Sequence, residues 1–276
     1  MTKSPNGQIM ALIYEKKDHL AIITLNRPEA RNSIDPETAV ALDEAWRDYR
    51  NDPEMRCAVI TGAGEQAFCT GADLARLIPL ITGARKPETE ADHAVAKNPG
   101  ILQNAFLREL SIYKPIVAAI NGYAIAGGME MLYNMDIRIA SEDAKFGLQE
   151  VKWAVFPMMG STVRLPRQIP YAKAMELLLT GELMDAKEAL SMGFVNRVVE
   201  KGKVMDEALR VAGVIAKNGP LAVSAIKKSV LKGLNLSIKE ALAKEVELGI
   251  PVFMSEDAKE GPRAFKEKRE PRYQGK

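Results

Sequence analysis

A chain of 276 residues exceeds one average domain and suits a single α/β core with an appendage. Its residues are 47% apolar, enough for a large core, and 27% charged, the usual share for a soluble surface. A net charge of +2 leaves no basic footprint for nucleic acid, and no apolar run nears the ~18 residues of a membrane span.

The opening MTKSPNGQIMALIYEKKD breaks into charge too early for a secretory signal, which points to the cytoplasm. Residues 9–14 and 20–25, IMALIY and LAIITL, read as a β-hairpin closed by a charged turn that holds His19. NRPEARNSID is an irregular connection. Asp35-Pro36 has the form of an N-cap followed by Pro at the first helical position, and that helix runs to about Asn51. CAVITG is a short buried strand, and GAGEQAFCTGADL a loop ending at a new helix. From Pro79 to Gly100 Pro, Gly and charge dominate, as in a long mobile loop or a partly helical lid. A helix over 101–111 precedes the strand 116–120, and IRIA at 137–140 is a further strand. After Phe156-Pro157 come three helical pieces, the last over 185–192 with Asp185 as N-cap and Gly193 past its end. FVNRVV is the last strand. Beyond it only helical patterns remain, over 203–216, 220–231, 237–249 and 256–268. The chain thus divides into an α/β body, residues 1–200, and an all-helical region, residues 201–276, suited to packing on another subunit.

The residue types narrow the chemistry. Cys57 and Cys69 have apolar flanks and no motif spacing, which suits packing in a reduced compartment. His19 and His93 lie in polar segments, away from any Ser or Cys nucleophile motif, and no Cys/His cluster offers a zinc site. Carboxylates and backbone dipoles remain. From Lys259 to Lys276, seven Lys or Arg stand against three Glu, either a solvated helix with a frayed tail or a site for a phosphorylated ligand.

Two segments share one pattern: CTGADL after CAVITG, and AIAGGME after PIVAAI. Each follows a strand, narrows to small residues and enters a helix. Tight strand–helix packing selects such residues. So does a pair of free N–H groups aimed at one carbonyl oxygen, where each donor is worth roughly 3–4 kcal/mol in the transition state. Glu130 follows Gly127 by three residues, as a helix-dipole carboxylate or a catalytic one. Glu150 lies in FGLQEVKWAVF, among Phe146, Leu148, Val151 and Trp153, where desolvation raises a carboxyl pKa and suits it to act as an acid.

These residues carry a resemblance to the crotonase superfamily, the enoyl-CoA hydratases and isomerases. The matching stretches run in order along nearly the whole chain: ITLNRPEARNSI, AFCTGADL, AAINGYAIAGGMEM, DIRIASEDAKFGLQEV, LLLTGELMDAKEALSMGFVNRVV and SEDAKEGPRAFKEKREP. The resemblance implies a crotonase-like fold of repeated ββα units with a C-terminal all-helical oligomerisation region. It implies an oxyanion hole for an acyl-CoA thioester, made by the N–H groups of Ala72 and Gly127. By the same analogy Glu130 deprotonates water for attack on Cβ and Glu150 delivers a proton to Cα. Ala30, Ala72, Asp73 and Leu74 would cradle coenzyme A, joined by Phe265 and Lys268 from a neighbouring subunit of a trimer or a dimer of trimers. No separate cofactor is expected, because coenzyme A is part of the substrate; no metal, nucleic acid or membrane is expected either.

The implied activity is reversible hydration of a 2-enoyl-CoA to a 3-hydroxyacyl-CoA. Other reactions on the same frame are double-bond isomerisation, decarboxylation and thioester hydrolysis; a different class is a non-catalytic acyl-CoA- or RNA-binding oligomer. The chain departs from the family pattern at Pro157-Met158-Met159-Gly160-Ser161-Thr162, where P-G-A-G-G-T is common, and at Gln149, where hydratases often have Pro. Met158, Met159 and Trp153 are expected to border the acyl pocket, either as gap-filling core or as its shape.

Overall fold

In the computed structural model, which describes residues 10–276, the chain begins with β1 (Leu12–Lys17) and β2 (Leu20–Leu25), an antiparallel hairpin. The signal reading of the N-terminus and the first residue of the expected hairpin, Ile9, fall in residues 1–9 and lie outside the described residues. Next is α1 (Pro36–Asn51), whose N-cap Asp35 accepts from the Thr38 N–H at 2.9 Å. Its buried face, Ala39, Leu42, Trp46 and Tyr49, recurs every three or four residues. Then come β3 (Cys57–Gly62), β4 (Ala67–Cys69), α2 (Leu77–Ile81), α3 (Glu90–Lys97) and α4 (Gly100–Ala105).

The segment over 79–100 is partly helical rather than loop throughout, and its charges pair internally. Arg85 forks onto the fully buried Asp92 carboxylate with two bonds of 2.6 Å, and Asp92 also closes the capping box that starts α3 at Thr89. The helix expected over 101–111 stops at Ala105; Leu107 has a φ of 56°, which no α-helix continues.

β5 (Ile116–Ile120) and β6 (Tyr123–Ile125) lead into α5 (Gly127–Glu130) and a 3-10 turn, Met131–Asn134. β7 (Ile137–Ser141) and β8 (Lys145–Gly147) lead into a second 3-10 turn, Gln149–Trp153. α6 (Ser161–Gln168), α7 (Tyr171–Thr180), β9 (Met184–Asp185), α8 (Ala186–Ser191) and β10 (Arg197–Val199) complete the body. The chain closes with α9 (Val204–Lys217), α10 (Pro220–Gly233), α11 (Ile238–Phe253) and α12 (Glu256–Lys266).

The strands form two sheets, one in the order β1-β2-β3-β5-β7-β10 and a smaller one in the order β4-β6-β8-β9. Each repeated unit places its first strand in the large sheet and its second in the small one, then passes to helix. The units β3-β4, β5-β6 and β7-β8 therefore run side by side, and β4, β6 and β8 are parallel neighbours. Their three C-terminal ends open on one edge of the molecule, the place where parallel sheets present loops to a ligand. The three-residue strands β4 and β6 stand where loop was expected, since three residues show no period.

β3 explains why CAVITG reads as one apolar run: Ala58 and Ile60 face the main core, while Cys57 and Val59 face α9. Val204, Ala208, Val211 and Ala212 of α9 seal that second face. The helical region from residue 201 is thus not uniform, since α9 is part of the body's core and α10–α12 stand outside it. The tail is not frayed. The Glu260 carboxylate accepts from Arg269 and from the Arg272 N–H at 2.9 Å, and Asp257 accepts from the Gln274 and Gly275 N–H groups at 2.7 and 2.8 Å. Of the seven basic side chains there, Lys259, Arg263 and Arg269 pair with carboxylates.

Candidate active site

The loops after β4, β6 and β8 carry Ala72, Gly127 and Glu150. Ala72 is not at a helix N-terminus, as the pattern suggested, since α2 begins only at Leu77. It sits in an isolated parallel bridge with Ile34: the Ile34 N–H donates to Gly71 O, and the Asp73 N–H donates to Ile34 O, both at 2.8 Å. Neighbouring extended residues alternate sides, so the N–H of Ala72 faces away from Ile34. It makes no backbone hydrogen bond among the described residues, and neither does that of Gly127 at the start of α5.

The two loops touch. A Cβ built on Gly71, whose φ is +86°, would lie 2.8 Å from the Gly127 nitrogen. Only glycine fits there and leaves that N–H open. Behind it, a Cβ on Gly128 would lie 2.1 Å from Cys69 O, so α5 rests directly on the backbone of β4. Ala126, the residue before α5, has φ 52° and ψ −128°, a region almost reserved for glycine that costs a residue with a side chain about 1–3 kcal/mol. The turn that aims the Gly127 N–H is held against that strain by the packing around it.

Asp73 is tied into its loop by many contacts. Its carboxylate accepts from the two terminal Arg27 guanidinium nitrogens at 3.0 Å, from Ser33 Oγ at 3.2 Å, and from the Ala75 and Arg76 N–H groups. Its N–H is spent on Ile34 and its carbonyl on Leu77 and Ile78. Asp73 thus fixes the loop that carries Ala72, and the Arg27 charge and backbone donors hold its pKa below the usual value despite burial. The same contacts bring the NRPEARN loop, with Ala30 in a 3-10 turn over Pro28–Ala30, beside Ala72 and the exposed Leu74.

Glu130 is only 3% exposed. Its Oε1 accepts from the Met159 N–H at 2.8 Å, from Ser161 Oγ at 2.9 Å and from the Ser161 N–H at 3.4 Å. Burial pushes its pKa up, and these donors, with the charge of Arg108, pull it part of the way back. Glu150 is half-buried in its 3-10 turn, and its Oε2 is buried with no partner. Burial raises its pKa to about 7, and the nearby charge of Glu130 adds to the shift. The two carboxyl groups feel each other, and Tyr133 feels both.

The sequence reading missed Met159 N–H and Ser161 as partners of Glu130, and Tyr133 as the partner of Ser161. The one signal was the altered P-M-M-G-S-T loop. That loop was expected to border the acyl pocket. Met158 and Trp153 are 62% and 70% exposed, while Met159 packs on the core, as the gap-filling reading has it. Phe265, at the end of α12, is 86% exposed.

Residues 15–276 match the model of a family described as enoyl-CoA hydratase/isomerase. The chain belongs to that family. It is 44% identical over 264 residues to the enoyl-CoA hydratase EchA19 of Mycobacterium tuberculosis, covering 96% of each chain. It is 43% identical to the (E)-benzylidenesuccinyl-CoA hydratase of Thauera aromatica, covering 96% of this chain and all (100%) of that one. Among solved structures, the enoyl-CoA hydratase EchA1 of Mycobacterium marinum superposes with a TM-score of 0.86 at 36% identity, covering 97% of this chain and 100% of that one. The crotonase fold is therefore this chain's fold, with its repeated strand pairs and C-terminal helices.

Proposed function

We propose that the protein hydrates a 2-enoyl-CoA reversibly to a 3-hydroxyacyl-CoA. One observation carries the reading: two carboxyl groups in different protonation environments lie at the open ends of β6 and β8, beside two unspent N–H groups. Glu130, with Oε1 fixed by donors, deprotonates water for attack on Cβ. Glu150, undonated and with a pKa about 7, delivers the proton to Cα. Ala72 N–H and Gly127 N–H hold the thioester oxygen as its charge grows. The hydratases named above, similar over nearly the whole chain, support the same reaction class. Mass spectrometry of products from a panel of enoyl-CoA esters tests it. A 3-hydroxyacyl-CoA is the expected product; a shifted double bond, a decarboxylated thioester or free coenzyme A would each contradict it.

The pH profile follows from the pair. Hydration needs Glu130 ionised and Glu150 protonated. As pH rises through about 7 Glu150 loses its proton, so kcat/KM for hydration is expected to fall by about tenfold per unit above that point. A profile flat through neutral pH into the alkaline range would remove Glu150 as the acid.

Coenzyme A is read as part of the substrate, with no separate cofactor. Ala30, Ala72, Asp73 and Leu74 cradle it and Phe265 and Lys268 reach it from a neighbouring subunit. Among the described residues no helix is long and apolar enough to cross a membrane. Two buried free cysteines suit the reducing cytoplasm. Assembly into a closed trimer or a dimer of trimers is supported by α10 and α11, which contain no buried residue and expose Ile226, Val230, Ile238 and Phe253. Light scattering at micromolar concentration is expected to give a trimer or hexamer mass, and deletion of residues 218–276 to abolish it; a monomeric full-length chain would contradict this assembly.

A further inference from the structure

We propose that Ser161 is a positioning residue for the reaction: its hydroxyl, backed by Tyr133, anchors one oxygen of Glu130 so that the other faces the substrate. The inference rests on the reading of Glu130 as the base. It uses one of the three residues at which this chain departs from P-G-A-G-G-T, where the third glycine of the pattern becomes Ser161.

Ser161 is fully buried at the start of α6. Three donors converge on Glu130 Oε1: Met159 N–H, Ser161 N–H and Ser161 Oγ. A glycine at 161 would keep the two backbone donors and lose the third. Oε2 accepts from none of the described side chains or N–H groups, so the carboxylate is held by one oxygen and free at the other.

The Ser161 hydroxyl has one proton, and Glu130 takes it. Tyr133 OH lies 3.2 Å from Ser161 Oγ. With the serine proton committed, the tyrosine donates and the serine accepts. Tyr133 is itself fixed: its ring meets Phe194 edge-on at 6.2 Å, and its carbonyl accepts from Gln168 Nε2 at 2.8 Å. A one-directional chain therefore runs from the core, Tyr133 to Ser161 to Glu130, and its last acceptor must be an ionised or lone-pair oxygen.

Such a donor favours the charged carboxylate. The other groups that face Glu130 are Arg108, from the connection between α4 and β5, which favours ionisation, and Glu150, from the turn after β8, which opposes it while charged. Tyr133 stays neutral, its pKa pushed far up by burial. Removing the serine hydroxyl leaves burial less opposed, so Glu130 holds its proton to higher pH.

The test is Ser161→Ala, read by kcat, KM and the pH profile of kcat/KM on a 2-enoyl-CoA. Loss of a hydrogen bond to a charged group is expected to lower kcat by about tenfold or more with little change in KM. The acid limb of the profile is expected to move to higher pH. Tyr133→Phe, which keeps the serine donor but frees its orientation, should move both readouts the same way by less. In a Glu130→Gln background Ser161→Ala should add no further loss. If Glu130→Gln hydrates at the wild-type rate, the reading of Glu130 as base fails and this inference with it. If Glu130→Gln is inactive while Ser161→Ala and Tyr133→Phe keep wild-type kcat and an unmoved acid limb, only the positioning role is overturned.

Discussion

Glu130→Gln and Glu150→Gln are each expected to lose about 10²–10⁴-fold in turnover on a 2-enoyl-CoA while still binding coenzyme A esters. Glutamine keeps size and shape and removes the proton chemistry. At 130 the new amide can turn its oxygen toward Met159 N–H and Ser161, so the anchor survives and the base does not. At 150 the change also removes a burden. A carboxyl group whose folded pKa is raised above its unfolded value contributes stability only while protonated. The fold therefore loses stability as pH rises through about 7, and a neutral amide escapes that loss. Glu150→Gln should thus be inactive yet at least as resistant to thermal unfolding as wild type at alkaline pH. The double variant should lose far less than the product of the single losses, because both groups serve one addition across one double bond. Stopped-assay rates for the three variants check this. A wild-type rate for either single variant would make that glutamate structural.

Gly71→Ala should be the most damaging change that removes no functional atom. The added methyl would lie 2.8 Å from the Gly127 nitrogen and 3.0 Å from Ala126 Cβ, so it is expected to displace the turn that aims this donor, and the backbone there has φ +86°. Loss of a single oxyanion donor costs about 10²–10³ in kcat. The left-handed backbone adds about 1–2 kcal/mol of strain, which lowers the melting temperature without unfolding a chain of this size. Binding of free coenzyme A, which has no acyl oxygen, should change little. The informative readout is kcat against coenzyme A affinity: a fall in kcat alone supports a blocked hole, and an unchanged kcat would show that no oxygen sits between the loops.

What the sequence made legible follows from period and capping. α1 and α8 were readable because Asp35-Pro36 and Asp185 announce their starts, and CAVITG because a strand buried on both faces is apolar throughout. β4 and β6 were not, because three residues carry no period, and they are what places the loops side by side. The folded segment over 79–100 was hard to read because it is tied down by an ion pair of half-buried Arg85 with buried Asp92, and a charged pair looks like solvent-facing residues when read in line. At the site, the two small-residue loops, Glu130 and Glu150 stood out by pattern, and the family resemblance singled out Ala72 and Gly127 within those loops. The fixing groups did not: Arg27 on Asp73 and Ser161 on Glu130 are separated from their partners by 46 and 31 residues, and no local rule connects them.

The shared hole is open to one direct measurement, a crystal structure with an unreactive acyl-CoA thioester bound. The Ala72 and Gly127 nitrogens are expected to lie about 3 Å from the same thioester oxygen, with Glu130 Oε2 and the Glu150 carboxyl group at the adjacent carbons. A thioester oxygen that meets only one of the two nitrogens, or an acyl group lodged away from both glutamates, would contradict it.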